Sequence, residues 1–160
     1  MSSSQPESKT IDGELYRFAL VAARYNQDLV DGLLERTRVV LLGSGVLPEN
    51  IEIVRVPGSG ELPYAVQRYA ETGFFDCCVA LGLLMKGETH HYEITARSVS
   101  DALHIVALDT RVPVINGVII ADDPSQARAR TGARLDRGGE FAHAALEMAA
   151  LKKGRDEPNE

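Results

Sequence analysis

The stretch "LGLLMKGETHHYE", Leu81 to Glu93, leaves an apolar run through a glycine and arrives at a lysine, an acid, a threonine and two adjacent histidines. Imidazole is the side chain best suited to moving protons at neutral pH. A helix beginning near Thr89 aims its free N–H groups and dipole outward. Gly87, Glu88 and Thr89 then form a cradle for a phosphate or carboxylate, with His91 in the first turn facing the anion. A metal is the rival explanation for two histidines among acids. His90 and His91 are adjacent, however, and neither has a second histidine four residues on, so no metal is expected.

Three further stretches carry chemistry. "ARYNQD" sets Tyr25 and Asn26 just before a helical pattern: the tyrosine is a stacking platform or a cover over the helix end, the asparagine a ligand or a cap. "RVPGSGELP" offers Gly58 and Gly60, which let backbone approach a ligand closely, and the Glu61 carboxylate. It is not a P-loop, because no GK[ST] follows, nor a dinucleotide fingerprint, because Pro63 stands where the third small residue belongs. "RARTGARLDRGG" gathers Arg128, Arg130, Arg134 and Arg137, either as an anion site or as a solvated helix face with its loop. His104 and His143 fall within helical patterns and read as surface or packing residues, and Cys77 and Cys78 as small core side chains.

The elements that must position these groups are legible in the apolar runs. Phe18 to Ala22, Ile51 to Val56, Cys77 to Leu81 and Val114 to Ile120 show little alternation and are bounded by turn formers, as parallel strands covered on both faces should be. Val30, Leu33, Leu34, Thr37 and Leu41 recur at helical spacing after a cap at Asn26, and "GSG" at Gly43 to Gly45 ends that helix. Further helices are expected over Leu62 to Thr72, with Pro63 in the first turn, over His91 to Asp109, over Pro124 to Thr131 and over Phe141 to Lys153. Strand and helix alternate, which predicts an α/β fold: a three-layer α/β/α sandwich around a four-stranded parallel sheet with flavodoxin-like winding. Ligands of such sheets bind beyond the carboxyl ends of the strands. All four chemical stretches follow strands.

Composition narrows the function classes. The chain has 160 residues, the size of one domain, with 44% hydrophobic and 25% charged residues. We expect residues 1–14 to be a flexible or neighbour-docking segment, 15–153 a single domain and 154–160 a polar tail. No apolar run approaches the roughly 20 residues that span a bilayer. The opening "MSSSQPESKTID" has no signal-peptide core. Adjacent Cys77 and Cys78 on a strand point to opposite faces and are badly placed to bond each other, which favours a reducing cytoplasm. Net charge is −6, from 17 basic against 23 acidic residues, which argues against general binding to a nucleic-acid backbone. A phosphorylated small polar substrate with a planar ring satisfies an aromatic face, a backbone cradle, an anion site with a histidine, and guanidinium groups.

Over Tyr16 to Lys153 the chain resembles the lumazine synthase family of riboflavin biosynthesis. The resemblance rests on "FALVAARYN", "VRVPGSGELP", "ALGLLMKGETHHYE", "VPVINGVI" and "GGEFAHAALEMA", collinear and at family-like spacing. It implies condensation of 5-amino-6-ribitylamino-uracil with 3,4-dihydroxy-2-butanone 4-phosphate to 6,7-dimethyl-8-ribityllumazine. Phosphate and water are released, without metal or organic cofactor. By the same likeness His91 is the proton shuttle, Gly87, Glu88 and Thr89 hold the phosphate, and Arg130 shares its charge. Tyr25, beside Asn26, stacks on the pyrimidine; Ser59, Gly60 and Glu61 meet the ribityl hydroxyls; backbone from Leu83 through Leu84 to Met85 meets the ring edge; Asn116 approaches from a neighbouring subunit. Arg137 falls on a usual lysine and Glu140 on a usual glutamate. Gly60 stands where the family usually carries an aromatic residue, and His90 replaces a commoner proline or small residue. The resemblance further implies a homo-oligomer, a pentamer or an assembly of pentamers up to an icosahedral shell, and a functional link to riboflavin synthase. Two other readings use the same pocket or surface: a non-catalytic flavin- or lumazine-binding protein, and a shell-forming paralogue.

Overall fold

The computed structural model describes residues 4–87 and 91–156, the last two by backbone alone. Four strands, β1 (Phe18–Ala23), β2 (Ile51–Val56), β3 (Cys77–Met85) and β4 (Val114–Ala121), form one sheet in the order β2-β1-β3-β4. Every pairing is parallel. Between them run α1 (Gln27–Gly43), α2 (Leu62–Ala70) and α3 (His91–Thr110), and after β4 come α4 (Pro124–Thr131) and α5 (Arg137–Asp156).

Alternation of side chains along the central strands builds two cores rather than one. Phe18, Leu20 and Ala22 of β1, with Cys77, Val79 and Leu81 of β3, face α1, α4 and α5, where Leu33, Ala127 and Leu146 meet them. Ala19, Val21 and Ala23, with Cys78 and Ala80, face α2 and α3, where Val66 and Leu103 close the layer. All residues of β1 are buried, which explains why its sequence shows no polar alternation. The expected three-layer α/β/α architecture is therefore the observed one.

Several boundaries differ from expectation. β3 continues four residues past Leu81, because β4 pairs with it from Gly82↔Val118 to Met85↔Ala121. α2 stops at Ala70, ahead of Gly73 at φ 70°. α5 begins at Arg137 rather than Phe141, because the Asp136 carboxylate accepts the Gly139 N–H at 3.3 Å and is itself held by Arg36. It also runs to Asp156, into the expected polar tail.

Asn26 precedes α1 in a left-handed conformation, φ 56°, and its side chain does not cap the helix. The Asn26 carbonyl takes the N–H groups of Leu29 and Val30 instead. In the amino-terminal segment the Gln5 amide donates to Glu140 Oε1 at 2.6 Å and the Lys9 N–H to Glu147 Oε1 at 3.4 Å, laying residues 5–9 along α5. No helix among the described residues is long and apolar enough to cross a membrane.

Candidate active site

Beyond Ala23 the chain stays paired with the segment that leaves β2: Arg24 N–H donates to Val56 O at 2.9 Å and Tyr25 N–H to Pro57 O at 3.2 Å. Tyr25 is thereby fixed at the mouth of the sheet with 73% of its surface exposed. The neighbouring Asn26 Nδ2 donates to Leu83 O at 3.3 Å, which ties the β1–α1 turn to β3. Asn26 thus acts as a strut between two strand ends, not as the side-chain cap its position suggested.

The turn after β2 folds on itself. Gly58 N–H donates to Glu61 Oε2 at 2.8 Å, and Glu61 N–H returns to Gly58 O at 3.2 Å. Ser59 is buried and packs toward β3, whereas Gly60 is exposed, with open space where a side chain would stand. On the far side, β1 pairing ends at Ala22↔Leu81 while β3 runs on to Met85. The backbone of Leu83, Leu84 and Met85 therefore lines the gap left by the shorter strand.

These pieces enclose a recess of about 480 Å³, within the range of small-molecule sites, lined by Tyr25, Asn26, Ser59, Gly60, Glu61, Leu83, Leu84, Met85 and His91. Gly58, Tyr92 and Thr95 line it too. Tyr92 and Thr95 were missed from the sequence. Thr95 is four residues after His91, hence on the same helix face, a signal that was there to find. The Tyr92 hydroxyl donates to Glu93 Oε1 at 2.8 Å. That bond, with partial burial and the charges of Glu93 and Asp122, raises the phenol's pKa above its ordinary value.

Gly87 has φ 105°, a conformation that glycine adopts freely, just before α3 opens at His91. Glu88 and Thr89, the rest of the expected anion cradle, and His90 lie outside the described residues. Four other candidates do not line the recess of a single chain. Arg130 donates from Nη1 to the Ile120 carbonyl at the end of β4. Asn116 Oδ1 accepts its own strand's Val118 N–H at 3.1 Å. Arg137 Nε lies 3.4 Å from Glu140 Oε2, with its guanidinium 5.6 Å from the Phe141 ring centroid. Among the described residues no group of three or more His, Cys, Asp or Glu could hold a metal ion.

Comparison with known proteins gives one family. Its model, described as 6,7-dimethyl-8-ribityllumazine synthase, matches residues 15–153. A protein of Azoarcus sp. (strain BH72) named 6,7-dimethyl-8-ribityllumazine synthase is 38% identical over 143 residues, 89% of this chain and 90% of its own. Proteins of the same name from Pyrococcus furiosus and Thermococcus gammatolerans are 41% and 39% identical, covering 92% and 94% of this chain and 92% and 99% of theirs.

Proposed function

The chain belongs to the 6,7-dimethyl-8-ribityllumazine synthase family, and on that premise we propose that it is the transferase that condenses 5-amino-6-ribitylamino-uracil with 3,4-dihydroxy-2-butanone 4-phosphate. Phosphate and water leave, and 6,7-dimethyl-8-ribityllumazine, the penultimate compound of riboflavin biosynthesis, is formed. The observation that carries the reading at the level of the site is convergence. Tyr25, the turn at Ser59, Gly60 and Glu61, the β3 backbone at Leu83–Met85 and His91 are far apart in sequence and line one recess.

In this reading the pyrimidine lies against Tyr25 with its ring edge on the backbone of Leu83, Leu84 and Met85, where main-chain groups read its amide pattern. Asn26 steadies that edge through its bond to Leu83 O. The ribityl chain runs toward the turn at Ser59, Gly60 and Glu61. The 5-amino group attacks the ketone carbonyl; the carbinolamine loses water to give an imine; elimination expels phosphate; and the ribitylamino nitrogen closes the ring with loss of a second water. Each step needs a proton moved, at nitrogen or oxygen in the addition, dehydration and ring closure and from the carbon beside the imine in the elimination, and His91 is the group in the recess fitted to do so.

Gly87, Glu88 and Thr89 hold the phosphate, joined by Arg130, whose guanidinium can donate two parallel hydrogen bonds to phosphate oxygens. Asn116, Arg137 and Glu140 complete the site from a neighbouring subunit of a homopentamer, whose recess lies between chains. The enzyme works in the cytoplasm and hands its product to riboflavin synthase. A protein that only bound flavin or lumazine would have no use for a proton-transfer group at the ring.

The test is direct: purified protein is mixed with both substrates and the lumazine is followed by its absorbance. Catalysed appearance above the uncatalysed background is expected. A flat trace with tight pyrimidine or flavin binding would leave a binding protein.

A further inference from the structure

The turn that carries Ser59 and Glu61 rests on β3 at a point where that strand has no side chain. A methyl group at Gly82 would lie 2.5 Å from Ser59 Oγ and 3.4 Å from Leu62 Cδ1. Ser59 is only 5% exposed, so its side chain fills this gap at the wall of the recess. At the other end of the turn, a methyl at Gly58 would stand 3.2 Å from Tyr25 Cδ2 and 3.2 Å from Glu61 Oε2. The turn is thus gripped between two glycines, one under the exposed tyrosine and one in the sheet.

Gly82 is not among the glycines with positive φ, so its backbone does not require glycine. A glycine inside a buried strand gives up packing, and often marks close approach of another backbone. At Gly82 the approaching segment is Ser59 and its turn. We propose that Gly82 is a positioning residue: its missing side chain seats Ser59 and so sets the depth of the Gly58–Glu61 turn along the recess wall that receives the pyrimidine substrate. The proposal rests on the substrate placement above, and it assigns a role to a residue that never touches substrate.

Steady-state kinetics, varying each substrate in turn, reads the effect. Gly82→Ala should raise KM for the ribityl pyrimidine roughly tenfold, since misplacement by a fraction of an ångström carries costs of that order. KM for the butanone phosphate should stay within about twofold. Gly82→Val, whose branched side chain suits a strand, should do more. The double variant S59G/G82A vacates the volume the methyl needs; because Ser59 is itself placed at the ribityl chain, this variant is read by the geometry of the turn and not by KM. Amide hydrogen exchange supplies an arm independent of turnover: Gly58 and Glu61, bonded to each other across the turn, should exchange faster in Gly82→Ala and return toward native in the double variant. If both KM values rise alike in Gly82→Ala, or exchange at Gly58 and Glu61 in the double variant is no closer to native than in the single, the proposal is wrong. If native protein makes no lumazine, the functional reading fails on its own, and the exchange arm still decides whether Gly82 seats the turn.

Discussion

His91 stands in the first turn of α3 with Thr95 one turn on, both on the recess. His91→Ala should lower turnover by roughly 10²-fold, as loss of a general acid–base group can, with pyrimidine affinity by titration nearly unchanged. Native turnover in that variant would take the imidazole out of the mechanism. Arg130→Ala should weaken the phosphorylated substrate and leave the pyrimidine alone; the reverse pattern would misplace Arg130. The cysteines offer a contrasting case. Burial pushes the Cys78 thiol up to about 12, and burial, with the charges of Cys78 and Asp76, lifts Cys77 well above its ordinary value. Neither thiolate forms near neutral pH, so native protein at about pH 8 should resist a thiol reagent that labels both sites in denaturant, and rapid native labelling would contradict their burial. What the sequence made legible at this scale was the set of groups that follow strands, because the sheet itself delivers them to one edge. The inward turn of Ser59 and the presence of Tyr92 were hidden, since each depends on how a loop packs against its neighbour.

Among elements, the join between α1 and α5 is the one most dependent on a single contact. Arg36 Nε and Nη2 donate to the two Asp136 oxygens at 2.7 and 3.0 Å, and Asp136 takes the left-handed conformation, φ 47°, that turns the chain into α5. The buried Thr37 hydroxyl lies within 3.0 Å of Gly138 O and 2.8 Å of Leu33 O, fixing the same join from the next residue along α1. The hydrogen bond from Arg36 is the main cause that holds the Asp136 carboxyl below its ordinary 3.8; the Arg36 charge, the Gly139 N–H and the charge of His143 act in the same sense, against partial burial. A carboxyl lowered in the folded state stabilises the fold above its ordinary value and loses that contribution as pH falls through the folded one. Arg36→Met should therefore be less stable than native protein near neutral pH in urea unfolding. The gap should narrow as pH drops below 3.8. A gap that stays constant on acidification would show that Arg36 acts by packing alone. This contact explains why the start of α5 was misread: apolar periodicity begins at Phe141, whereas the helix is initiated by an ion pair between residues 100 apart, which no local pattern reveals. The central strands, by contrast, were legible as continuous apolar runs, and the edge strands β2 and β4 as runs rich in Val and Ile despite Glu52, Arg55 and Asn116; β3 was cut short only because Gly82 resembles a strand end.

The single chain leaves an apolar surface exposed. Ile94, Ile105 and Leu108 of α3 are 67%, 57% and 79% exposed, and their spacing of eleven and three residues puts them in one stripe along the helix. Tyr64 of α2, 71% exposed, adds a groove of about 520 Å³ beside Val56, Ala65 and Tyr69 on the same layer of the sandwich. Apolar surface gathered in this way is the kind that protein–protein contacts cover. Meanwhile Asn116, Arg130, Arg137 and Glu140, which the proposed reaction calls on, lie outside the recess. The proposed homo-oligomer would answer both observations, with neighbouring copies covering the stripe and bringing these side chains to the recess. Light scattering should then give a mass at least five times that of the 17.4 kDa chain. Leu108→Glu lies 17 residues from His91, roughly 25 Å along α3, too far to disturb the recess directly. It should shift the protein toward smaller species and lower specific activity in proportion to the mass lost, with activity recovering as protein concentration rises. A dissociated variant that kept native turnover at every concentration would mean that one chain holds a complete site, and would remove Asn116, Arg130, Arg137 and Glu140 from it as residues supplied by a neighbour.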